Sequence, residues 1–265
     1  MAVRSPLYHV MSGAALKPAK GLKRDFGEVE QLQVSIKGPG DFVSTADFKA
    51  EKIIRTELER ARPGFGFLME EGGAIAGDGR HRWIIDPLDG TTNFLHGIPH
   101  FAISIGLEQE GEIVAGLVYH PIADEIYFAE KGRGAYVNDR RLRVSARSQM
   151  GEALMGTGIP FREHGDHQRY IDTMAAVIAV TSGVRRMGVA SLDLAYVAAG
   201  RFDGFWEFGL KPWDVAAGMI LVREAGGAVG ALSAGDPLET GDIVAANAKL
   251  YGPLHKLLTG NRPVR

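Results

Sequence analysis

The sequence predicts an α/β (α+β) fold in which an antiparallel meander is followed by an alternating α/β half. Three observations predict it. Phe101 to Leu107, Ile113 to His120, Ile126 to Glu130 and Ala135 to Val137 are extended apolar runs, separated by turn signals at Gly111, Pro121 to Glu125 and Asn138-Asp139. From about residue 150, strand-like and helix-like stretches alternate instead. No repeat or low-complexity linker separates the two regimes, so the parts 1–150 and 151–265 are expected to pack as one unit.

In chain order, residues 7 to 32 carry apolar positions at helical spacing, with Lys17, Lys20, Lys23 and Arg24 on a solvated face, and predict one or two amphipathic helices. Ile36 to Asp41 is turn chemistry and Phe42 to Thr45 a brief extended segment. A helix follows from Phe48 to Arg60, with Asp47 placed to cap it. Gly64 to Met69 reads as a short strand ending in Glu70-Glu71-Gly72-Gly73, and Gly73 to Arg82 as a polar loop. Trp83 to Ile85 is a buried strand expected to stop at Pro87, which has no N–H for a ladder. Gly132-Arg133-Gly134 is a hairpin bend, since the third glycine and the helix of a dinucleotide fingerprint are missing.

The second half predicts strands at Leu154 to Gly158, Val184 to Met187, Phe202 to Phe208 and Ile243 to Ala246. Its helices are predicted near Gln168 to Val180, Ala190 to Ala199, Trp213 to Glu224 and Lys249 to Leu258, with Gly226-Gly227 as the C-cap of the third.

Composition narrows the function. The hydrophobic fraction of 45 % and net charge of −2 are ordinary for a globular chain and argue against a nucleic-acid binder by bulk charge. The chain has no cysteine, which excludes disulfides, thiolate metal sites and any cysteine nucleophile. The first residues form no continuous apolar segment, so neither a signal peptide nor a membrane span is expected, and the expected location is cytoplasmic.

The chemistry concentrates in Asp86-Pro87-Leu88-Asp89-Gly90-Thr91-Thr92-Asn93-Phe94. The two aspartates stand at the carboxyl end of a strand, the usual ligand edge of an α/β sheet. Gly90 to Asn93 can open a short helix whose first N–H groups face an anion. Carboxylates beside an anion repel it unless a hard divalent cation lies between them, so the stretch suggests a metal and a phosphate. The plain alternative is an Asx-type turn with a helix cap. Asp214, in the first turn of the helix at Trp213, has a plain capping reading too.

Met69-Glu70-Glu71, the Asp86 to Phe94 stretch, and Trp213-Asp214-Val215-Ala216-Ala217-Gly218 with Glu224-Ala225-Gly226-Gly227 together resemble the inositol monophosphatase family of magnesium-dependent, lithium-sensitive phosphatases. The resemblance runs from about Lys37 to Leu258. Arg185-Arg186-Met187-Gly188, Leu192 to Gly200 and Gly209 to Asp214 are similar to its bacterial members of the SuhB type. The resemblance implies a layered αβαβα sandwich, usually a homodimer.

It also implies that Glu70, Asp86, Asp89, Asp214 and the Leu88 carbonyl hold Mg²⁺, with Asp214 completing a second metal site. Gly90 and Thr91 amides would take the phosphate. Asp47, Glu70 and the Thr91 hydroxyl would aim and deprotonate the attacking water. Glu207, Asp214 and the backbone at Ala190 would read the substrate's hydroxyls. The implied reaction is hydrolysis of inositol 1-phosphate by in-line attack of a metal-activated water.

Two departures bear on the substrate. Val189 stands where relatives often carry a hydroxyl residue, and the Gly72 to Arg82 loop and Thr157-Gly158 differ from animal enzymes. The alternatives within the same resemblance are a fructose 1,6-bisphosphatase, an adenosine 3',5'-bisphosphate phosphatase and a histidinol-phosphate phosphatase. An alternative of another class is a regulatory protein contacting the transcription machinery or RNA, for which Arg140-Arg141 and Arg185-Arg186 are the basic pairs.

Overall fold

The structure is a computed structural model that describes residues 5–26, 34–38, 41–160 and 165–260. The first helix, α1 (Pro6–Phe26), buries Tyr8, Met11, Ala15, Ala19 and Leu22, the i, i+3/i+4 spacing of one face. It is one helix through Pro18, and residues 27 to 33 of the predicted helical stretch lie outside the described residues. The strands β1 (Val34–Gly38) and β2 (Asp41–Ser44) pair antiparallel, so most of the predicted turn at 36 to 41 is ladder; residues 39 and 40 lie outside the described residues. Helix α2 (Thr45–Ala61) packs on α1 and starts before the predicted Phe48.

Next come β3 (Gly66–Met69), β4 (Gly73–Ile75), β5 (His81–Asp89), α3 (Thr91–Leu95), β6 (Ala102–Gln109), β7 (Glu112–His120), β8 (Glu125–Glu130), β9 (Gly134–Val137) and β10 (Arg140–Arg141). They form an eight-stranded sheet in the order β10-β9-β8-β7-β6-β5-β3-β4. The meander is antiparallel as predicted, and only β3 and β5 run parallel. The predicted loop at 73 to 82 gives its first residues to β4, because the Gly72-Gly73 turn folds Ala74 and Ile75 back onto Leu68 and Phe67.

After a 3₁₀ turn at Met150–Glu152 come β11 (Leu154–Thr157), α4 (His167–Ile178), β12 (Gly183–Arg185), α5 (Ala190–Ala198), β13 (Gly204–Glu207), α6 (Pro212–Glu224), β14 (Gly227–Ala231), α7 (Pro237–Thr240), β15 (Ile243–Asn247) and α8 (Tyr251–Gly260). The second sheet has five strands in the order β12-β11-β13-β15-β14. β14 was not expected: Gly-Ala-Val-Gly-Ala carries little strand signal of its own and is a strand through pairing with β15.

Three apolar cores define the layers. One lies between α1/α2 and the eight-stranded sheet, one holds α5 and α6 between the two sheets, and one lies between the five-stranded sheet and α4/α8. The order is therefore αβαβα, as the resemblance implied. Close approach in the middle layer depends on missing side chains. A Cβ at Gly116 would stand 2.6 Å from the Ala217 carbonyl, and one at Gly218 would stand 2.5 Å from Leu194. Glycine there lets α6 lie on β7 and α5 lie on α6.

Candidate functional site

The site begins with an irregularity in β5. Asp86 pairs with Ser104 and Asp89 with Ala102, so three residues advance on β5 against two on β6. On a regular strand an odd separation sends two side chains to opposite faces, and the extra residue of a bulge cancels that. The packing records the reset. Ile84 and Ala102 belong to the core around α5 and α6, whereas Ile85 and Leu88 belong to the core under α1 and α2. Both aspartates thus face the middle layer. Pro87 sits in the bulge, where its missing N–H costs no ladder bond, so β5 passes the predicted stop.

Backbone and side chains interlock beyond the bulge. The Leu88 N–H donates to Asp86 Oδ1 at 2.8 Å, the Asx-type turn of the plain reading. The Thr91 hydroxyl has one hydrogen for two acceptors, the Leu88 carbonyl at 3.0 Å and Asp47 Oδ1 at 3.2 Å. Asp47 is buried in the first turn of α2 and brings that helix start to α3. Gly90 has φ 92°, and a Cβ there would lie 2.7 Å from the Val189 side chain, so the residue at 189 sits against the start of α3. Asn93 donates to the carbonyls of His100 and Met187, both at 2.9 Å, tying α3 to the segment before α5.

The second half arrives through α5, β13 and α6. Pro212 opens α6, and Asp214 Oδ2 accepts the Lys211 N–H at 2.7 Å, so the capping reading of Asp214 also holds. Ser104, fully buried and paired with Asp86, donates to the Trp213 carbonyl at 3.0 Å and pins the start of α6 to β6. The Ser191 N–H donates to Asp89 Oδ2 at 2.8 Å, and the Ala190 N–H also bonds to Asp89, so the start of α5 faces that carboxylate. Glu207 ends β13 against Gly158, where no Cβ could fit. Glu70 follows β3, its N–H bonded to the Ile85 carbonyl at 3.2 Å.

The acids raise one another. Asp86 is buried, which pushes its carboxyl well above the usual range, and the charges of Glu70, Asp89 and Asp214 push it further. Burial, then the charge of Asp89, does the same to Asp214. Burial lifts Asp89 to about 6, against the lowering effect of the Ser191 and Ala190 bonds. Burial and the charge of Asp89 lift Glu207 to about 8, opposed by Arg186. Among the described residues, no Lys or Arg forms an ion pair with Asp86, Asp89 or Asp214.

Among the described residues, no three histidine, aspartate or glutamate side chains form a ready-made metal cage. The fit to a hard cation lies in the donor chemistry: carboxyl oxygens from two halves of the chain brought together, with no Lys or Arg paired to Asp86, Asp89 or Asp214 among the described residues. A divalent ion among them removes the repulsion that now favours their protonated forms.

The predicted residues Glu70, Asp86, Leu88, Asp89, Asp214, Asp47, Thr91, Gly90, Ala190 and Glu207 therefore gather at one crevice, where the carboxyl ends of β3, β5 and β13 meet the starts of α2, α3, α5 and α6. Sequence reasoning missed Ser104 and Asp193. Ser104 has no local signal, being one serine in an apolar strand. Asp193 lies within the quoted Leu192 to Gly200 stretch without a role. It is fully buried, and neither carboxylate oxygen has a hydrogen-bond partner among the described residues.

A family model described as the inositol monophosphatase family matches residues 4–261. The chain belongs to the inositol monophosphatase family. An inositol-1-monophosphatase of Rhizobium meliloti is 58 % identical over 263 residues, covering 98 % of each chain. A Nus factor SuhB of Pseudomonas aeruginosa is 44 % identical and covers 94 % of each. The crystal structure of the extragenic suppressor protein SuhB of Bartonella henselae superposes with a TM-score of 0.94 at 54 % identity, covering 97 % of this chain and all of that one. Family membership accounts for the αβαβα order and for a metal-dependent phosphatase chemistry.

Proposed function

We propose that the chain is a Mg²⁺-dependent phosphomonoesterase that hydrolyses inositol 1-phosphate to inositol and phosphate, and that Li⁺ inhibits it. The observation that carries this reading is the convergence of Glu70, Asp86, Asp89 and Asp214 beside the Thr91–Asp47 hydrogen bond. Relatives named inositol-1-monophosphatase support the substrate.

Glu70, Asp86, Asp89, Asp214 and the Leu88 carbonyl would hold the metal ions. Mg²⁺ held there would supply acidification of the attacking water and neutralisation of charge on the departing alcohol oxygen. The Thr91 hydroxyl, while donating to Asp47, keeps lone pairs free to accept the water's proton, and Asp47 takes the hydroxyl proton in turn. Glu70 aims the water from the end of β3. Gly90 and Thr91 present amides at the start of α3 to the phosphate. Glu207 and the backbone at Ala190 orient the alcohol. Residues 1–150 and 151–265 act as one unit, because Asp214 must reach Asp86 and Asp89.

Phosphate release from inositol 1-phosphate, fructose 1,6-bisphosphate, adenosine 3',5'-bisphosphate and histidinol phosphate, with and without Mg²⁺ and with Li⁺ added, tests the reading. Mg²⁺-dependent release from inositol 1-phosphate is expected to exceed the rest. Preference for another ester would overturn the substrate assignment.

The relatives named as Nus factors favour one further reading, a contact with the transcription machinery. Capture of the same bacterial partner by the wild type and by Asp86→Asn would separate it from catalysis. We further propose a cytoplasmic homodimer; among the described residues no helix is long and apolar enough to cross a membrane.

A further inference from the structure

The alcohol side of the crevice carries buried polar atoms that the chain leaves unpaired. Among the described residues, the Tyr170 hydroxyl and both Asp193 carboxylate oxygens are closed off from solvent and have no hydrogen-bond partner. Such a group costs about 1–3 kcal/mol when left unmade, and folded chains seldom keep several near one another. Tyr170 is the member of this set that comes from outside the family motifs.

Its position is well determined. Tyr170 lies in the first turn of α4 and is 6 % exposed. The neighbouring Arg169 stacks on Phe208, the residue after Glu207, with its guanidinium 4.0 Å from the ring centre. Arg169 also pairs with Asp242 at 2.6 Å, and Asp242 accepts the Gly209 N–H at 3.1 Å. The start of α4 is thereby clamped over the carboxyl end of β13. The Thr157 hydroxyl stands beside the phenol but donates to the Trp206 carbonyl at 2.9 Å, and no hydrogen bond of normal geometry joins the two. Burial, with the charge of Glu207, raises the Tyr170 phenol above its ordinary value against the lowering effect of Thr157 and Arg186, and a protonated phenol is a hydrogen-bond donor at neutral pH. Glu207, whose charge acts on both Tyr170 and Asp193, is only half-buried.

We propose that Tyr170 is a specificity-determining residue, whose unpaired phenol hydroxyl at the start of α4 donates to a ring hydroxyl of a polyol monophosphate that Glu207 holds from β13. The inference rests on the phosphomonoesterase reading given above. A site that keeps a donor waiting for a substrate hydroxyl discriminates against alcohols lacking it, because the donor then stays unpaired.

The test is Tyr170→Phe, which removes one oxygen and leaves the ring. A packing role and a substrate-reading role predict opposite patterns. Because the hydroxyl has no hydrogen-bond partner among the described residues, the variant is expected to melt at the same temperature as the wild type or higher. Its KM for inositol 1-phosphate should rise about tenfold, equivalent to about 1.4 kcal/mol, with kcat little changed. Turnover of p-nitrophenyl phosphate, which offers no ring hydroxyls, should not move. A lower melting temperature with equal losses on both substrates, or no change on either, would overturn the proposal. If the wild type itself cleaves p-nitrophenyl phosphate but not inositol 1-phosphate, the substrate reading fails, and the assignment of Tyr170 falls with it.

Discussion

Asp86 and Asp203 are equally buried acids in adjoining parts of the same fold, yet their surroundings are opposite. Asp203 is saturated with donors: the Ser145 hydroxyl, Arg147 at 3.2 Å and the Leu154 N–H at 2.8 Å. Among the described residues, Asp86 accepts one backbone amide, that of Leu88, and otherwise faces the acids Glu70, with which it shares a hydrogen bond, Asp89 and Asp214. An acid buried for stability is surrounded by donors that satisfy its oxygens. One buried for function is left with a deficit that only something from outside the chain relieves.

The largest effects should come from the deficient side. Asp89→Asn and Asp214→Asn are each expected to lower Mg²⁺-dependent turnover by on the order of 10³-fold, while the metal-free melting temperature stays level or rises. Near-normal turnover in either variant would falsify the shared-metal assignment. Thr91→Ala should reduce kcat by about 10²-fold with a smaller change in KM, since the hydroxyl acts on the attacking water. Steady-state kinetics showing the reverse split would remove that role.

On the saturated side the outcome inverts. Asp203→Ala leaves the Leu154 N–H and the Ser145 hydroxyl without their acceptor and is expected to cost about 2 kcal/mol of stability, seen in denaturant unfolding. Turnover per folded molecule should be retained. If Asp203→Ala instead lost activity without losing stability, the contrast between the two acids would collapse.

A milder effect concerns a buried base. His100 is buried against His120 and Tyr196, its Nε2 has no partner, and burial, reinforced by His120, lowers it from 6.5 to about 4. Between those values the unfolded chain binds a proton that the native state refuses, so stability rises with pH there and is lost as pH falls from 6.5 towards 4. Melting temperatures across that window should slope less steeply in His100→Phe than in the wild type. An unchanged slope would assign the acid lability to other groups.

Much of this was legible in the sequence, for physical reasons that differ by element. The meander showed because alternating apolar runs and turn residues are local signals, and α6 showed because Pro212, Asp214 and Gly226 punctuate it. β14 did not, since a glycine- and alanine-rich strand is specified by its partner β15. Pro87 misled for the opposite reason: the local rule against proline in a ladder is correct, but a bulge suspends it. Within the site, Asp47 alone looks like any helix-capping residue, and its bond to Thr91 is tertiary. Ser104 carries no spacing that would single it out, because its bond to the Trp213 carbonyl joins residues far apart in the chain.

The bulge in β5 also lifts a peptide out of the sheet. Leu88 spends its N–H on Asp86 and offers its carbonyl to Thr91, while its side chain fills the core under α1 and α2. An alanine scan would record Leu88 as a core residue and nothing more, since no side-chain replacement deletes a carbonyl. The group would be visible only to an edit of the main chain itself, such as an amide-to-ester exchange between residues 88 and 89, which weakens that oxygen as an acceptor and leaves every side chain in place.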